Sequence, residues 1–258
     1  ISRYKIARKL SNIYDYFFFP KLAKSSIILP AADNNAIALF IERSKGLIQP
    51  SKVKQFPTRY DNNIFNIKDK LKLREFYGIN NDIVMVLTVG RLNWFKGWKF
   101  TIDSFNIFLK SNPNSILYFI GDGEDKENII NYKQSLDLSN KIVLLGQQNL
   151  NTISDYLNMS DVFVMGSYKE GWSTSLVEAI ACGIPCVVTN FSSANDMVED
   201  ELNGYVVNNR DTNIFAKKIS DALILDKRNL NEAAKKISDL STQKMRSQLL
   251  KTCNWQID

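Results

Sequence analysis

Two glutamates stand eight positions apart in KEGWSTSLVEA, residues 169–179: Glu170 and Glu178. Ionised carboxylates accept hydrogen bonds and repel phosphate, so such a pair suits hydroxyl groups, as on a polyol. Gly171 leaves the backbone open to close approach. Ser173, Thr174 and Ser175 lead into SLVEAIAC, a helical pattern that Gly183 ends. The first amides of a helix lack intrahelical acceptors and suit an anion. The stretch thus offers hydroxyl acceptors at both ends and an anion site between them. Simpler readings compete. Glu170 also fits a solvated loop carboxylate. Ser175-Leu-Val-Glu178 also fits a capping box, with Glu178 serving only the helix start.

A second stretch has the opposite charge. GRLNWFKG, residues 90–97, carries Arg91 and Lys96 with Gly97 at a helix start. A guanidinium, an ammonium and free helix amides together make a phosphate or diphosphate site. Taken alone, Arg91 equally fits a surface salt bridge and Lys96 a solvated lysine. GDG, residues 121–123, reads as a tight turn.

The elements that must position these stretches emerge from the apolar pattern. IVMVLTVG (83–90), SILYFIGDG (115–123), KIVLLG (141–146), DVFVMGS (161–167), GIPCVVTN (183–190) and NGYVVN (203–208) are short apolar runs. Helical segments alternate with them, including GWKFTIDSFNIFLK (97–110) and TISDYLNMS (152–160). Such alternation predicts βαβ units around a parallel sheet covered on both faces, an α/β, Rossmann-like doubly wound domain. In a 3-2-1-4-5-6 strand order the first and fourth strands are neighbours where the winding reverses, and ligands bind there. GRLNWFKG comes after the first strand and KEGWSTSLVEA after the fourth, so both stretches are expected at one crevice.

Composition narrows the chemistry. The 258 residues include no histidine, which removes Ser-His and Cys-His nucleophile schemes and the usual general base near neutral pH. Cys182, Cys186 and Cys253 form no CxxC pair, which speaks against a zinc site and for reduced thiols in a cytosolic protein. No apolar run is long enough to span a membrane. Residues 1–24 hold Arg3, Lys5, Arg8, Lys9, Lys21 and Lys24 against Asp15 alone, interleaved with Tyr4, Tyr14, Tyr16, Phe17, Phe18 and Phe19. A basic, aromatic segment of this kind suits either an anionic membrane surface or the packing of a basic helix on further protein; no nucleic-acid motif accompanies it.

GRLNWFKG, YFIGDGED, VLLGQQNL, SDVFVMGSYKEGWSTSLVEAIACGIPCVVT and NGYVV together resemble the nucleotide-sugar half of a GT-B glycosyltransferase. The likeness is to the retaining glycosyltransferases of family 4, also called glycosyl transferases group 1, and covers residues 83–208. It implies that Arg91 and Lys96 bind the donor diphosphate, that Glu170 contacts the transferred sugar and that Glu178 holds the ribose hydroxyls. It implies further that backbone amides of Gly171, Trp172, Ser173 and Thr174 meet sugar and phosphate. Leu176 and Val177 fall where the family packs ribose and base, and Gly146 and Gln147 where the base edge is read. The implied reaction moves a hexose-type sugar from a UDP-, GDP- or ADP-linked donor to an acceptor hydroxyl with retention. The implied setting is synthesis of bacterial cell-surface polysaccharide, lipopolysaccharide or glycolipid, on a saccharide or lipid-linked acceptor. No cofactor and no metal are expected, because Arg91 and Lys96 replace the metal. The expected location is cytoplasmic, peripheral on the inner face of the plasma membrane.

Other positions depart from the family pattern. Phe191-Ser192-Ser193 stands where the family often has Gly-Gly, Asp196 where it often has Glu, and Pro57-Thr58-Arg59-Tyr60-Asp61 where its hinge tends to read Pro-Asn-Gly-Val-Asp. Residues 25–46 and 52–65 resemble the closing strand, helix and strand of the family's N-terminal domain. The resulting expectation is a remnant of the N-terminal acceptor-side domain at 1–57, an interdomain linker at 58–80 and the donor-binding domain at 81–258, in a chain short at both ends. A nucleotide-sugar epimerase, or a GT-B module that binds without transferring, are the alternatives.

Overall fold

The computed structural model describes residues 16–25, 27–30 and 34–253. Most of the basic segment at the start of the chain, residues 1–15, lies outside them. Six parallel strands form one sheet in the order β3-β2-β1-β4-β5-β6: β1 (Val84–Val89), β2 (Ser115–Ile120), β3 (Ile142–Leu144), β4 (Val162–Met165), β5 (Cys186–Thr189) and β6 (Gly204–Val207). This is the order expected from the sequence.

The apolar runs are continuous because both sheet faces are covered. In β4, Val162 and Val164 face one core, and Phe163 and Met165 the other. The first core is built with α3 (Trp98–Leu109), α4 (Lys126–Ser135) and α8 (Thr212–Ala222), through Phe105, Ile129, Phe215 and Ile219. The second is built with α5 (Leu150–Met159), α6 (Thr174–Ala181) and α9 (Lys227–Ile237), through Leu157, Leu176, Ile180 and Ala233. Cys182 and Cys186 are buried in this second core.

Ahead of the sheet, residues 16–22 are helical and α1 (Asn34–Arg43) precedes a parallel bridge between Ile28 and Val53. The bridge continues through Lys54 N to Ile28 O and Phe56 N to Pro30 O. Of the expected strand–helix–strand, the helix is present among the described residues, and its flanks meet in an isolated bridge rather than as strands.

Residues 58–80 are stitched onto the sheet domain. In α2 (Lys70–Phe76) the Arg74 side chain is buried; it donates to Met159 O (2.9 Å) and Asp161 Oδ2 (2.7 Å). Asp161 Oδ2 also accepts from Met85 N at 2.7 Å, so one carboxylate joins α2, β1 and the start of β4. No helix among the described residues is long and apolar enough to cross a membrane.

The short segments that finish the domain are α7 (Ala194–Met197), after β5, and α10 (Thr242–Cys253).

Candidate functional site: a charged crevice at the winding reversal

The register of β1 with β4 (Val86 against Val162, Leu87 against Phe163) places their outgoing loops side by side at the strands' carboxyl ends. They touch through glycine. Gly97 has φ +64°, and a Cβ on it would lie 1.8 Å from Gly166 O. Only a residue without a side chain lets the β1 loop press onto the end of β4. Asn93 Oδ1 accepts from Lys96 N at 3.2 Å and folds residues 94–96 into one 3-10 turn.

That turn aims Lys96 across the crevice. Its Nζ lies 2.6 Å from Glu170 Oε1, and the same oxygen accepts from Ser167 Oγ at 2.7 Å. Lys96 and Glu170, 74 residues apart, therefore form a charge-assisted pair, and neither is the solvated side chain of the simpler readings. Arg91 is exposed and makes no side-chain hydrogen bond or ion pair among the described residues, so it is not held in a salt bridge. Arg91, Lys96 and Ser167 line one recess at the ends of β1 and β4.

GDG supports this loop from the other side. Gly121 and Gly123 lie against the carbonyls of Gly90 and Leu92, too close for a Cβ, and Leu92 N donates to Asp122 O at 2.9 Å. The turn itself falls one step later than GDG, at Glu124 and Asp125, closed by Lys126 N to Gly123 O at 3.2 Å.

At the second loop, Ser173 is the N-cap of α6; its Oγ accepts from Leu176 N at 3.4 Å. The capping box that Ser175 and Glu178 could have made is not formed. Glu178 lies in the second helical turn, past the position a capping box uses. Its carboxyl has no hydrogen bond among the described residues, and burial pushes its pKa up to about 7. The amides of Gly171, Trp172, Ser173, Thr174 and Ser175 likewise donate to no protein acceptor among the described residues. Five consecutive open donors thus run between the two glutamates.

Two of the expected contact residues are placed otherwise. Leu176 and Val177 are fully buried in the second core, and their amides are used by Ser173 Oγ and Ser173 O. Their side chains cannot pack ribose or base, because the apolar stripe of α6 that they form is what binds the helix to the sheet. The Trp172 ring also packs against this core; its buried Nε1 has no partner among the described residues, and only its backbone serves the loop. Gly146 (φ +68°) and Gln147 lie after β3 with open space at the Gly146 Cα, and Gly146 O accepts from Gly121 N at 2.9 Å.

Several site-building residues escape sequence reading. Arg210, in the loop after β6, donates to Gly166 O (2.9 Å) and Ser167 O (3.2 Å). Its guanidinium lies 3.6 Å from the Tyr168 ring centroid and 4.4 Å from that of Phe100. It fixes the end of β4 just before Glu170, yet nothing in NNRD marks it. Ser192 Oγ donates to Glu170 O at 3.0 Å, and Ser193 Oγ to Gly171 O. These two hydroxyls occupy the position where the sequence departs from the Gly-Gly pattern, which was the available signal. With two carbonyls of the loop tied inward, its amides stay available outward.

The doubly wound α/β sheet thus carries a charged crevice at its reversal, where sheets of this kind bind ligands. The chain belongs to the family of glycosyl transferases group 1, which matches residues 69–238. Among curated relatives, it is 28% identical over 178 residues to the UDP-Gal:alpha-D-GlcNAc-diphosphoundecaprenol alpha-1,3-galactosyltransferase of Escherichia coli, covering 65% of this chain and 44% of that protein. It is 35% identical over 153 residues to the capsular polysaccharide biosynthesis glycosyltransferase CapM of Staphylococcus aureus, covering 58% of this chain and 40% of that protein. The chain therefore spans less than half the length of these two relatives. The fold matches a glycosyltransferase from Rickettsia africae with TM-score 0.77 and 18% identity, over 93% of this chain and 66% of that one. It matches the pneumococcal O-GlcNAc transferase GtfA, solved with UDP and GlcNAc, with TM-score 0.75 and 19% identity, over 94% and 47%.

Proposed function

We propose that this chain supplies the donor-binding half of a glycosyltransferase that moves a hexose-type sugar from a nucleotide-sugar to an acceptor hydroxyl with retention. The observation that carries the reading is the pair Lys96–Glu170 at 2.6 Å beside the open amides 171–175. A cation, a carboxylate and a row of donors at one place match a ligand that is phosphate on one side and polyol on the other. In this reading Arg91 and Lys96 hold the diphosphate, Glu170 the transferred sugar and Glu178 the ribose hydroxyls.

The chemistry asked of these groups is modest. The bond between the anomeric carbon and the phosphate oxygen breaks, and the acceptor oxygen bonds to that carbon on the same face. The acceptor's proton passes to the departing phosphate, so no histidine is required. Arg91, Lys96 and the α6 amides stabilise the charge that develops on the leaving diphosphate, where preorganised donors act most strongly. The same cations make a metal unnecessary.

For the acceptor, the relatives supply the comparison. The Escherichia coli relative is named for a lipid-diphosphate-linked sugar, and a 32% identical relative from Acholeplasma laidlawii is an alpha-monoglucosyldiacylglycerol synthase. We assign this chain to cell-surface polysaccharide or glycolipid synthesis on that basis. Peripheral membrane attachment fits the basic segment 1–24, of whose described part Tyr16 and Phe17 are exposed. Binding to neutral vesicles equal to that for anionic ones would remove it.

The test of the donor reading is a thermal-shift panel of UDP-, GDP- and ADP-sugars against this chain. One nucleotide series is expected to raise the melting temperature, with the diphosphate doing more than the nucleoside. A flat response to every nucleotide would sink the reading.

A further inference from the structure

A third segment reaches the start of α6. Thr58 Oγ1 lies 3.0 Å from Thr174 Oγ1, across 116 residues of sequence. Thr174 is the first residue of α6 and sits inside the run of open amides. Thr58 is held at that place through Tyr60, two residues on. Tyr60 is buried; its amide donates to Leu240 O at 3.3 Å, and its carbonyl accepts from Thr242 N and Thr242 Oγ1, both at 2.9 Å. The parallel bridge of Tyr60 with Ser241 fixes the same spot. The segment is thus anchored to residues 240–242, two positions after Thr58.

A contact between two hydroxyls commits neither of them. Each is donor and acceptor, and an incoming oxygen can take the proton of either while the other partner turns. An acceptor arriving at the start of α6 meets both threonines together. We propose that Thr58 is a donor-binding residue: its hydroxyl hydrogen-bonds to the diphosphate of the nucleotide-sugar at the start of α6. The inference rests on the donor reading above and adds a binding group from outside the loops after β1 and β4. It also makes the hinge itself part of the ligand's environment, so that the segment joining the two halves senses whether the donor is present.

Calorimetric titration of this chain tests it, with the nucleoside diphosphate chosen from the panel and its parent nucleoside as probes. Thr58→Val is expected to weaken diphosphate binding about 2- to 12-fold, the range of one neutral hydrogen bond. Nucleoside binding should not move, and the melting temperature of the empty protein should fall only by the small amount that the loss of the Thr58–Thr174 contact carries. Thr58→Ser should restore the wild-type affinity. If the wild type binds diphosphate and Thr58→Val binds it as well or better, the inference fails while the donor reading stands. Equal loss for nucleoside and diphosphate, or no rescue by Thr58→Ser, also overturns it. If the wild type binds no nucleotide at all, the donor reading itself falls, and Thr58 with it.

Discussion

Glu170 and Glu178 close the two ends of one stretch, and their surroundings differ in kind. The loop around Glu170 is wired by polar contacts: Lys96 and Ser167 on its carboxylate, Ser192 and Ser193 on the adjoining carbonyls, Arg210 on the strand end before it. Around Glu178 the helix is held by apolar burial of Leu176, Val177 and Ile180 against the sheet, and the carboxyl has no hydrogen-bond partner among the described residues. The first carboxylate is held by polar partners. At the second, burial raises the carboxyl's pKa and no protein donor among the described residues offsets it. The contrast teaches that two carboxylates eight residues apart can sit one in a polar network and the other in an apolar setting.

The largest expected effect lies at the wired end. Lys96→Ala should weaken nucleoside-diphosphate binding by about 1.5–3 kcal/mol, roughly 10- to 150-fold, and leave nucleoside binding nearly unchanged. Arg91→Ala should act in the same direction without disturbing Glu170, because Arg91 has no protein partner to lose among the described residues. Titration with both ligands checks this. An equal loss for nucleoside and diphosphate would take the basic pair out of the phosphate role.

The apolar end should show itself through pH. The Glu178 carboxyl titrates near 4.5 when unperturbed and near 7 when buried in the folded chain. Between those values the folded state retains a proton that the unfolded state has released. The stabilisation is therefore full at low pH and lost as pH rises through about 7. The stability of the empty protein should fall over this window by roughly 3 kcal/mol, read from melting curves. Glu178→Gln should flatten that slope. Nucleotide binding should strengthen over the same window in the wild type, since hydroxyl donors favour the ionised form, and should be weaker and pH-independent in Glu178→Gln. An unchanged slope in the variant would place the buried proton elsewhere.

The smallest effect tests the wiring itself. Ser193→Ala should cost about 1 kcal/mol in affinity for the sugar-bearing donor, the net worth of one hydrogen bond. The bare diphosphate should lose less, because the Ser193 contact orients the loop that carries Glu170. Equal affinities for the variant and the wild type would reduce the serine pair to loop packing.

Much of the fold is legible in the chain. Strands buried on both faces must be apolar throughout, so the six runs and the glycines ending several of them mark the sheet without alternation to confuse them. The βαβ alternation marks a parallel sheet, and a 3-2-1-4-5-6 order, if adopted, brings both loops to one crevice. Glu170, Lys96 and Arg91 were visible because charge is conspicuous next to apolar strands. Other assignments needed the third dimension. Ser173 rather than Ser175 caps α6, a shift of two residues that strips Glu178 of its capping role, and packing on the sheet buries Leu176 and Val177. Helix starts shift this easily because neighbouring serines and threonines are nearly equivalent caps. Sequence alone thus determined the α/β class and the charged residues available at the reversal. Tertiary structure alone decided which of them meet. The approach of Gly97 to Gly166, the brace of Arg210 and the reach of Thr58 to Thr174 each join segments far apart in the chain. Local propensity acts over a few residues, whereas the closure of two loops is set by the packing of everything folded between them.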